Sequence, residues 1–385
     1  MGGGHDGGSA PKPIAHDGGS APKTPGSLRA SLPAPPLPGR GGTRGARAIP
    51  TFIARWDLDK TYLRTDFDTV RDLVRTAVER PDQKRTVPGA ATLMRELGRA
   101  GAEIHILSGS PEQLRSRLEQ KLRLDGARWA SLTLKPNLEN ILRLRFRALR
   151  GQLGYKLPAL LRRRCELFVQ RAPGGAMVRE VLLGDDAEAD AFVYSVYADV
   201  CAGAVPAGTL AEVMRKGGAY EDTIADAVRF AGYVEKGPVV ERILIHLDRQ
   251  SSPSDFRVFG PRVVPFYNYL QAAFVLHEDG LVPAKSVLRV AQDLAFVHNF
   301  DSGALSRSYL DLSRRGHVTG RGIPDLAATY ADVARGRSSA GESEIGELIR
   351  ELTRMLPELT PPPIREEPPI DYVRMAEGHN RRHKR

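Results

Sequence analysis

From Thr51 to about Cys201, short apolar segments alternate with segments whose apolar residues recur at helical spacing. The apolar segments predict strands at Phe52–Trp56, Ala102–Leu107, Trp129–Leu134 and Glu180–Leu183. The other segments predict helices at Gly89–Ala100, Pro111–Leu124, Leu138–Leu149, Lys156–Arg164 and Asp190–Tyr197. Because strands that alternate with helices need crossover connections, this part of the chain predicts an α/β fold with a mostly parallel sheet.

Reactive side chains follow the predicted strands. In chain order they lie at Asp57–Thr61, Ser108–Ser110, Lys156 and Gly184–Asp190. Ligands of parallel sheets bind at the carboxyl ends of the strands, so these groups are expected to meet. Each group alone is typical of a turn or a helix cap. Taken together they are the parts that a phosphoryl-transfer site needs, and each interval between them fits a small number of strand–helix units.

The residue types suit distinct steps of that chemistry. Asp57 is predicted to attack phosphorus and form an aspartyl phosphate. Asp59 is predicted to protonate the leaving alcohol and then to take a proton from the hydrolytic water. Ser108 and Gly109 are predicted to hold phosphate oxygens, and Lys156 to neutralise charge on the phosphoryl group and the nucleophile.

Carboxylates at two of these strand ends also predict a magnesium site. Mg²⁺ prefers oxygen ligands, and its charge lets a carboxylate approach a phosphate. The predicted ligands are Asp57, Asp59 through its backbone carbonyl, Asp185 and Asp186. Mg²⁺ is therefore the expected cofactor.

The motifs resemble those of the haloacid dehalogenase-like (HAD) hydrolases. DLDKT, LSGS, a helix-borne lysine and LLGDDAEAD look like the four motifs of that superfamily, over Thr51–Cys201. The run from Gly184 to Tyr194 is similar to a narrower group, the phosphatidate phosphatases of the lipin and actin-patch type. Two positions depart from these patterns: Lys60 stands where many members have Gly, Asp or Ser, and Asp186 stands where the lipid phosphatases usually have Ser.

The resemblance implies a Rossmannoid three-layer sandwich with minimal or no cap domain. Neither Thr61–Thr86 nor Gly109–Tyr155 is long enough to hold a full cap beside the elements already predicted. An open site favours a large substrate. A basic helix with Arg143, Arg145, Arg147 and Arg150 could form a rim for it, or could simply face solvent.

The remaining sequence divides by composition and periodicity. Residues 1–48 are a low-complexity basic tail in which HDGGSAPK occurs twice, and such composition predicts disorder. Residues 49–203 hold the HAD-like motifs. Residues 204–356 are predicted to be an all-α domain, a candidate lid, because apolar residues recur at helical spacing in Val239–Leu247, Tyr267–Phe274 and Val287–Val297. Residues 357–385 are predicted to be a Pro-rich and basic tail.

The net charge and the cysteine content indicate which partners and which cellular compartment to expect. The formal net charge of +10 favours an anionic partner: a phosphorylated substrate, an anionic lipid surface touched peripherally or, as a weaker alternative, nucleic acid. Two cysteines make no disulfide framework. With no signal peptide in the sequence, a cytoplasmic protein is expected, at most peripheral to a membrane.

The leading hypothesis is a magnesium-dependent phosphatase for a large phosphomonoester such as phosphatidate. One alternative is a nucleic-acid end phosphatase or a phosphotransferase. Another is a HAD-fold binding protein with weak or no activity. The sequence leaves the oligomeric state open.

Overall fold

The computed structural model describes Met1 and residues 52–64, 85–135, 149–170, 177–335, 342–359 and 369–383. The chain divides into two compact units, Met1–Ala48 and Ile49–Arg385, and every element below belongs to the second. The predicted N-terminal tail, apart from Met1, and the predicted helix Leu138–Leu149, apart from Leu149, lie outside the described residues. So does most of the Pro-rich segment.

The strands of the described residues form one six-stranded sheet in the order β3-β2-β1-β4-β5-β6, parallel throughout. They are β1 Phe52–Trp56, β2 Ala102–Pro111, β3 Ser131–Lys135, β4 Arg179–Asp185, β5 Val240–His246 and β6 Val263–Phe266. The chain runs outward from β1 to β3 and then crosses to β4 on the other side of β1. This reversal creates a crevice at the carboxyl ends of β1 and β4, where ligands of open α/β sheets bind.

The prediction of an α/β fold with a mostly parallel sheet is confirmed. The prediction that residues 204–356 are all-α is wrong, because β5 and β6 extend the sheet beyond β4. The apolar spacing of Val239, Ile243 and Leu247 fits a helix, but the run around it is almost continuously apolar. Such a run is also typical of a parallel strand buried on both faces.

Helices cover both faces of the sheet. They are α1 Ala90–Arg99, α2 Arg115–Leu124, α3 Leu149–Gln170, α4 Asp190–Ala202, α5 Ala207–Lys216, α6 Glu221–Tyr233, α7 Tyr269–Glu278, α8 Ala284–Gln292, α9 Ser302–Arg314, α10 Ile323–Ala334, α11 Glu342–Met355 and α12 Tyr372–His383. A π-helical turn, Asp293–Val297, follows α8 directly. The predicted helix Pro111–Leu124 begins later than expected, because β2 runs to Pro111 and a 3₁₀ turn precedes α2.

Two hydrophobic clusters lie on opposite faces of the sheet. One packs α1, α2 and α7–α11 against side chains such as Trp56, Val181 and Leu183. The other packs α3–α6 and α12 against side chains such as Leu182 and Ile243. Successive residues of β4 therefore enter different clusters, as the twofold alternation of a strand requires. Burial on both faces explains why β1 has no exposed residue.

Among the described helices, none has both the length and the apolar character needed to cross a lipid bilayer.

Candidate active site

A tight turn follows β1 and carries the first predicted site residues. The Asp57 amide donates to the Leu183 carbonyl at 2.9 Å, which continues the pairing with β4. The amides of Tyr62 and Leu63 then both donate to the Leu58 carbonyl, at 3.0 and 2.8 Å. Lys60, inside this turn, has a φ of +59°. This left-handed conformation is unfavourable for a side chain with a Cβ, so neighbouring contacts must hold it.

The turn brings the ends of β1 and β4 together. Asp57 and Asp185 are fully buried, and the Thr61 hydroxyl lies between their carboxylates. Its Oγ lies 3.3 Å from Asp57 Oδ2 and 3.4 Å from Asp185 Oδ2. The two predicted metal ligands therefore face one point.

Backbone amides fix the end of β4. Asp185 Oδ1 accepts hydrogen bonds from the amides of Ala187 and Glu188, at 2.6 and 3.0 Å. Asp190, the first residue of α4, turns back so that its Oδ2 lies 3.3 Å from the Asp185 amide. A Cβ at Gly184 would lie 2.4 Å from that same oxygen, so only glycine leaves room for Asp190 here.

Three buried carboxylates form a group that can hold a cation. Asp57, Asp185 and Asp190 each offer one oxygen, and these oxygens lie within 4.8 Å of one another. Two oxygens bound to the same Mg²⁺ are at most about 4.2 Å apart. The group thus fits Mg²⁺ after a small inward movement of the side chains. In the part of the chain that the structure describes, no other set of His, Cys, Asp and Glu side chains meets this criterion.

Lys156 lies beside the three carboxylates, fully buried in α3. Its Nζ lies 2.9 Å from Asp57 Oδ1, 2.8 Å from Glu188 Oε2 and 2.5 Å from Asp190 Oδ1. Burial lowers the pKa of Lys156, but these carboxylates outweigh it and raise the pKa well above its usual range. Lys156 is therefore a permanent positive charge next to Asp57.

Lys156, together with Lys135 near Glu188, does not balance four carboxylates. Burial, opposed by Lys156, raises the pKa of Asp57 well above its usual range. Burial, with the charges of Asp190 and Glu188, does the same for the pKa of Asp185. Burial raises the pKa of Asp190 to about 6. The ionised cluster thus needs additional positive charge, which a divalent cation supplies.

Asp59 and Ser108 meet as a separate pair. Asp59 Oδ2 accepts hydrogen bonds from the hydroxyls of Ser108 and Ser110, both at 2.9 Å. The Ser108 oxygen also accepts the Ser110 amide at 2.9 Å. A Cβ placed on Gly109 would lie 3.9 Å from Glu188 Oε1, so the β2 end borders the carboxylate cluster.

Asp186, the fourth predicted metal ligand, has a different set of contacts. Its two carboxylate oxygens accept the backbone amides of Arg249 and Ser251, at 2.8 and 3.0 Å. It therefore anchors the loop after β5 and is not among the three grouped carboxylates. Lys60 contacts the same loop, with its Nζ 3.6 Å from Asp248 Oδ2. Lys60, which departs from the HAD pattern, thus connects the turn after β1 with the loop after β5.

Asp190, Glu188 and Thr61 lie in the predicted reactive runs Asp57–Thr61 and Gly184–Asp190, but the sequence predicted no role for any of them. The helix predicted to begin at Asp190 is confirmed as α4, and its position places the Asp190 carboxylate near the end of β4. Thr61 lies in the DLDKT motif, two residues after Asp59. Of the predicted basic rim, Arg143, Arg145 and Arg147 lie outside the described residues, and Arg150 lies in the first turn of α3. Cys165 and Cys201 are buried away from these residues as packing side chains.

Comparison of the chain with models of protein families, with curated proteins and with solved structures finds no match.

Proposed function

We propose that this protein is a magnesium-dependent phosphatase of the HAD type, which works through an aspartyl phosphate. The observation that carries the proposal is the meeting of Asp57, Lys156, Asp185 and Asp190 at the crevice between β1 and β4. A buried nucleophile, a permanent cation and a cation-binding carboxylate group in one place are what phosphoryl transfer requires.

Asp57 is the group that attacks. A carboxylate oxygen of Asp57 forms a bond to phosphorus while the bond from phosphorus to the leaving oxygen breaks, which gives an aspartyl phosphate and an alcohol. Water then attacks phosphorus while the bond from phosphorus to Asp57 breaks, which releases inorganic phosphate and restores the Asp57 carboxylate. Lys156, 2.9 Å from Asp57, offsets charge on the transferred group throughout. Mg²⁺ bound by Asp57, Asp185 and Asp190 would lower the repulsion between carboxylate and phosphate.

Asp59 moves the proton. It donates to the leaving alcohol oxygen and later takes a proton from the attacking water. The hydrogen bonds from Ser108 and Ser110 to Asp59 Oδ2 fix the orientation of its carboxyl group, as such a role requires. Ser108 thereby orients Asp59 through a direct hydrogen bond. Its role as a phosphate ligand, together with Gly109, remains part of the proposal.

The strand order of the sheet is also that of dinucleotide-binding folds, so the fold alone does not decide the chemistry. Those folds place a glycine-rich loop after the first strand, where backbone amides contact a pyrophosphate. Here the same position holds Asp57 and Asp59, which would repel a bound pyrophosphate. The carboxylates favour covalent phosphoryl transfer over dinucleotide binding.

The proposed substrate is a large phosphomonoester, with phosphatidate as the lipid example. The support is the similarity of the run from Gly184 to Tyr194 to lipid phosphatases and the net charge of +10. Phosphatidate in mixed micelles, a phosphopeptide and a 5′-phosphorylated oligonucleotide distinguish the substrate classes. Preferred turnover of the oligonucleotide would replace the lipid proposal with that of a nucleic-acid end phosphatase.

Hydrolysis of an aryl phosphate, with Mg²⁺ and after chelation, tests the function itself. We expect turnover by the wild-type protein only with the metal, and none by Asp57→Asn. Asp199→Asn is the matched control, since Asp199 lies on the same helix as Asp190 but pairs with Arg262 and Tyr372. Turnover that survives Asp57→Asn would refute the mechanism.

A further inference from the structure

Two side chains from the second half of the chain hold the turn after β1. His246, the last residue of β5, has its Nδ1 2.9 Å from the Lys60 carbonyl oxygen. Tyr269, the first residue of α7, donates its hydroxyl to the Thr61 carbonyl oxygen. In both contacts the two residues are more than 180 positions apart in the sequence. They meet because β5 and α7 lie next to the ends of β1 and β4.

The His246 ring is fixed by its surroundings. It is 7% exposed, and its centroid lies 5.4 Å from that of Phe266 and 5.8 Å from that of Tyr269. Tyr269 in turn stacks on Trp56, the residue before Asp57. A backbone carbonyl can only accept, so the Nδ1 of His246 must carry the hydrogen. The ring therefore presents one donor in one direction.

The turn requires such contacts. Lys60 adopts a left-handed conformation that a residue with a Cβ keeps only when its environment enforces it. Lys60 lies in the segment from Asp57 to Thr61, which also carries the site residues Asp57, Asp59 and Thr61. A relaxed Lys60 would change the distances between these three groups.

We infer that His246 is a positioning residue for phosphoryl transfer. Its Nδ1–H holds the Lys60 carbonyl and so sets the geometry of Asp57, Asp59 and Thr61, while Tyr269 holds the next carbonyl. The part of this inference that concerns catalysis rests on the proposed function. The part that concerns the turn does not, since it follows from the contacts alone.

The test uses three variants of the full chain. His246→Phe keeps an aromatic ring beside Phe266 and Tyr269 but removes the donor. His246→Asn places an amide N–H near the original Nδ1. His277→Phe is the matched control: its Nδ1 also contacts a backbone carbonyl, that of Val282, at 3.0 Å and with similar burial, but at the far end of α7.

Two readouts are measured: kcat and KM with an aryl phosphate, and hydrogen exchange of the Lys60, Tyr62 and Leu63 amides. For His246→Phe we expect kcat to fall about 10-fold or more with KM little changed. We also expect those amides to exchange about 10-fold faster or more, with Tm no lower than in His277→Phe. His246→Asn should recover most of both values, and His277→Phe should leave both unchanged.

The outcomes separate the two proposals. If the wild-type protein hydrolyses no phosphomonoester, the proposed function fails, and exchange still decides whether His246 holds the turn. Unchanged exchange in His246→Phe would overturn the inference whatever the activity. So would an unchanged kcat in His246→Phe together with a loss of kcat in His246→Asn, because that result would mean that the ring matters and the donor does not.

Discussion

Two buried charge clusters lie at β1 and β4, the two central strands of the sheet. One cluster balances its charges and the other does not. The core cluster consists of Arg55, Arg164, Glu180 and Tyr197. The site cluster consists of Asp57, Lys156, Asp185, Glu188 and Asp190. Arg55 lies on β1 and Asp57 is the first residue after it, two positions further along, so the clusters are neighbours along the chain.

The core cluster satisfies its charges and its hydrogen bonds. Glu180 accepts from Arg55 at 2.6 and 2.9 Å, from Arg164 at 2.9 Å and from Tyr197 at 2.7 Å. Although burial opposes it, the two guanidinium groups lower the pKa of Glu180 to about 2. This cluster has the character of a structural network.

The site cluster makes hydrogen bonds but does not balance its charges. Its four carboxylates face Lys156, with Lys135 near Glu188, and burial raises the pKa of Asp57, Asp185 and Asp190. A fold retains such a mismatch where a ligand or a cation completes it. The comparison therefore predicts that one cluster serves stability and the other serves function, and the following substitutions test that division.

The largest effect is expected for Asp57→Asn, which should lower kcat/KM by at least about 10⁴-fold because the nucleophile is lost. The free energy of unfolding without metal should stay the same or rise, since one of four crowded carboxylates becomes neutral. Turnover and urea denaturation of the same preparation check both. A variant that is inactive because it is unfolded would contradict the division.

Glu180→Gln should have the reverse profile. It leaves two buried guanidinium groups without their carboxylate, so the free energy of unfolding should fall by about 3–5 kcal/mol. The kcat of the folded fraction should stay within about twofold of wild type, since none of the site contacts changes. Calorimetry together with kcat, corrected for the folded fraction, measures this. Full stability of Glu180→Gln would remove the structural role of the core cluster.

The core cluster also predicts a pH dependence. The pKa of Glu180 falls from its usual 4.5 to about 2 in the folded protein. The unfolded chain therefore binds this proton first as the pH drops, and stability is lost between about pH 4.5 and pH 2. The contribution, up to about 3 kcal/mol, is fully present above that window. In urea denaturation across it, the stability difference between wild type and Glu180→Gln should shrink as the pH falls.

Gly184→Ala should have the smallest effect and act on the site cluster by sterics alone. The new Cβ would displace the Asp190 carboxylate, at a cost of about 1–3 kcal/mol in stability and about 10-fold in Mg²⁺ affinity. Gly232→Ala in α6 is the control. Nothing lies within 4 Å of a Cβ there, so it should stabilise the helix by about 0.5–1 kcal/mol. Equal Mg²⁺ affinity in Gly184→Ala and wild type would show that Asp190 does not bind the metal.

The predicted strand ends led to much of the site because parallel strands end at one edge of a sheet. Asp57 and Asp185 could be placed together for that reason, and Lys156 was added as a residue at the start of a predicted helix. The predicted helix start at Asp190 was correct, but the sequence predicted no role for Asp190, because the approach of its carboxylate to Asp185 depends on the space left above Gly184. Asp186 lies between the two grouped aspartates of this run, Asp185 and Asp190, but its carboxylate anchors the loop after β5.

The sequence did not predict that the second half of the chain adds strands to the sheet, because its apolar spacing is ambiguous. The run around Ile243 matches a helix and a buried strand equally well, and only the pairing with β4 decides between them. Without β5 and β6 in the sheet, neither His246 nor Tyr269 could be connected with the turn at Lys60. Contacts between residues so far apart in sequence depend on the complete topology and not on any local signal.

Trapping the phosphoryl group tests the central claim most directly. Asp59→Asn should slow hydrolysis of the intermediate while an aryl phosphate, whose leaving group needs no proton, still reacts. After incubation with Mg²⁺ and acid quenching, peptide mass spectrometry should find one phosphoryl group on Asp57, and none after chelation or in the Asp57→Asn protein. Turnover of the aryl phosphate with the phosphoryl group on any other residue, or with Asp57 never modified, would contradict the account.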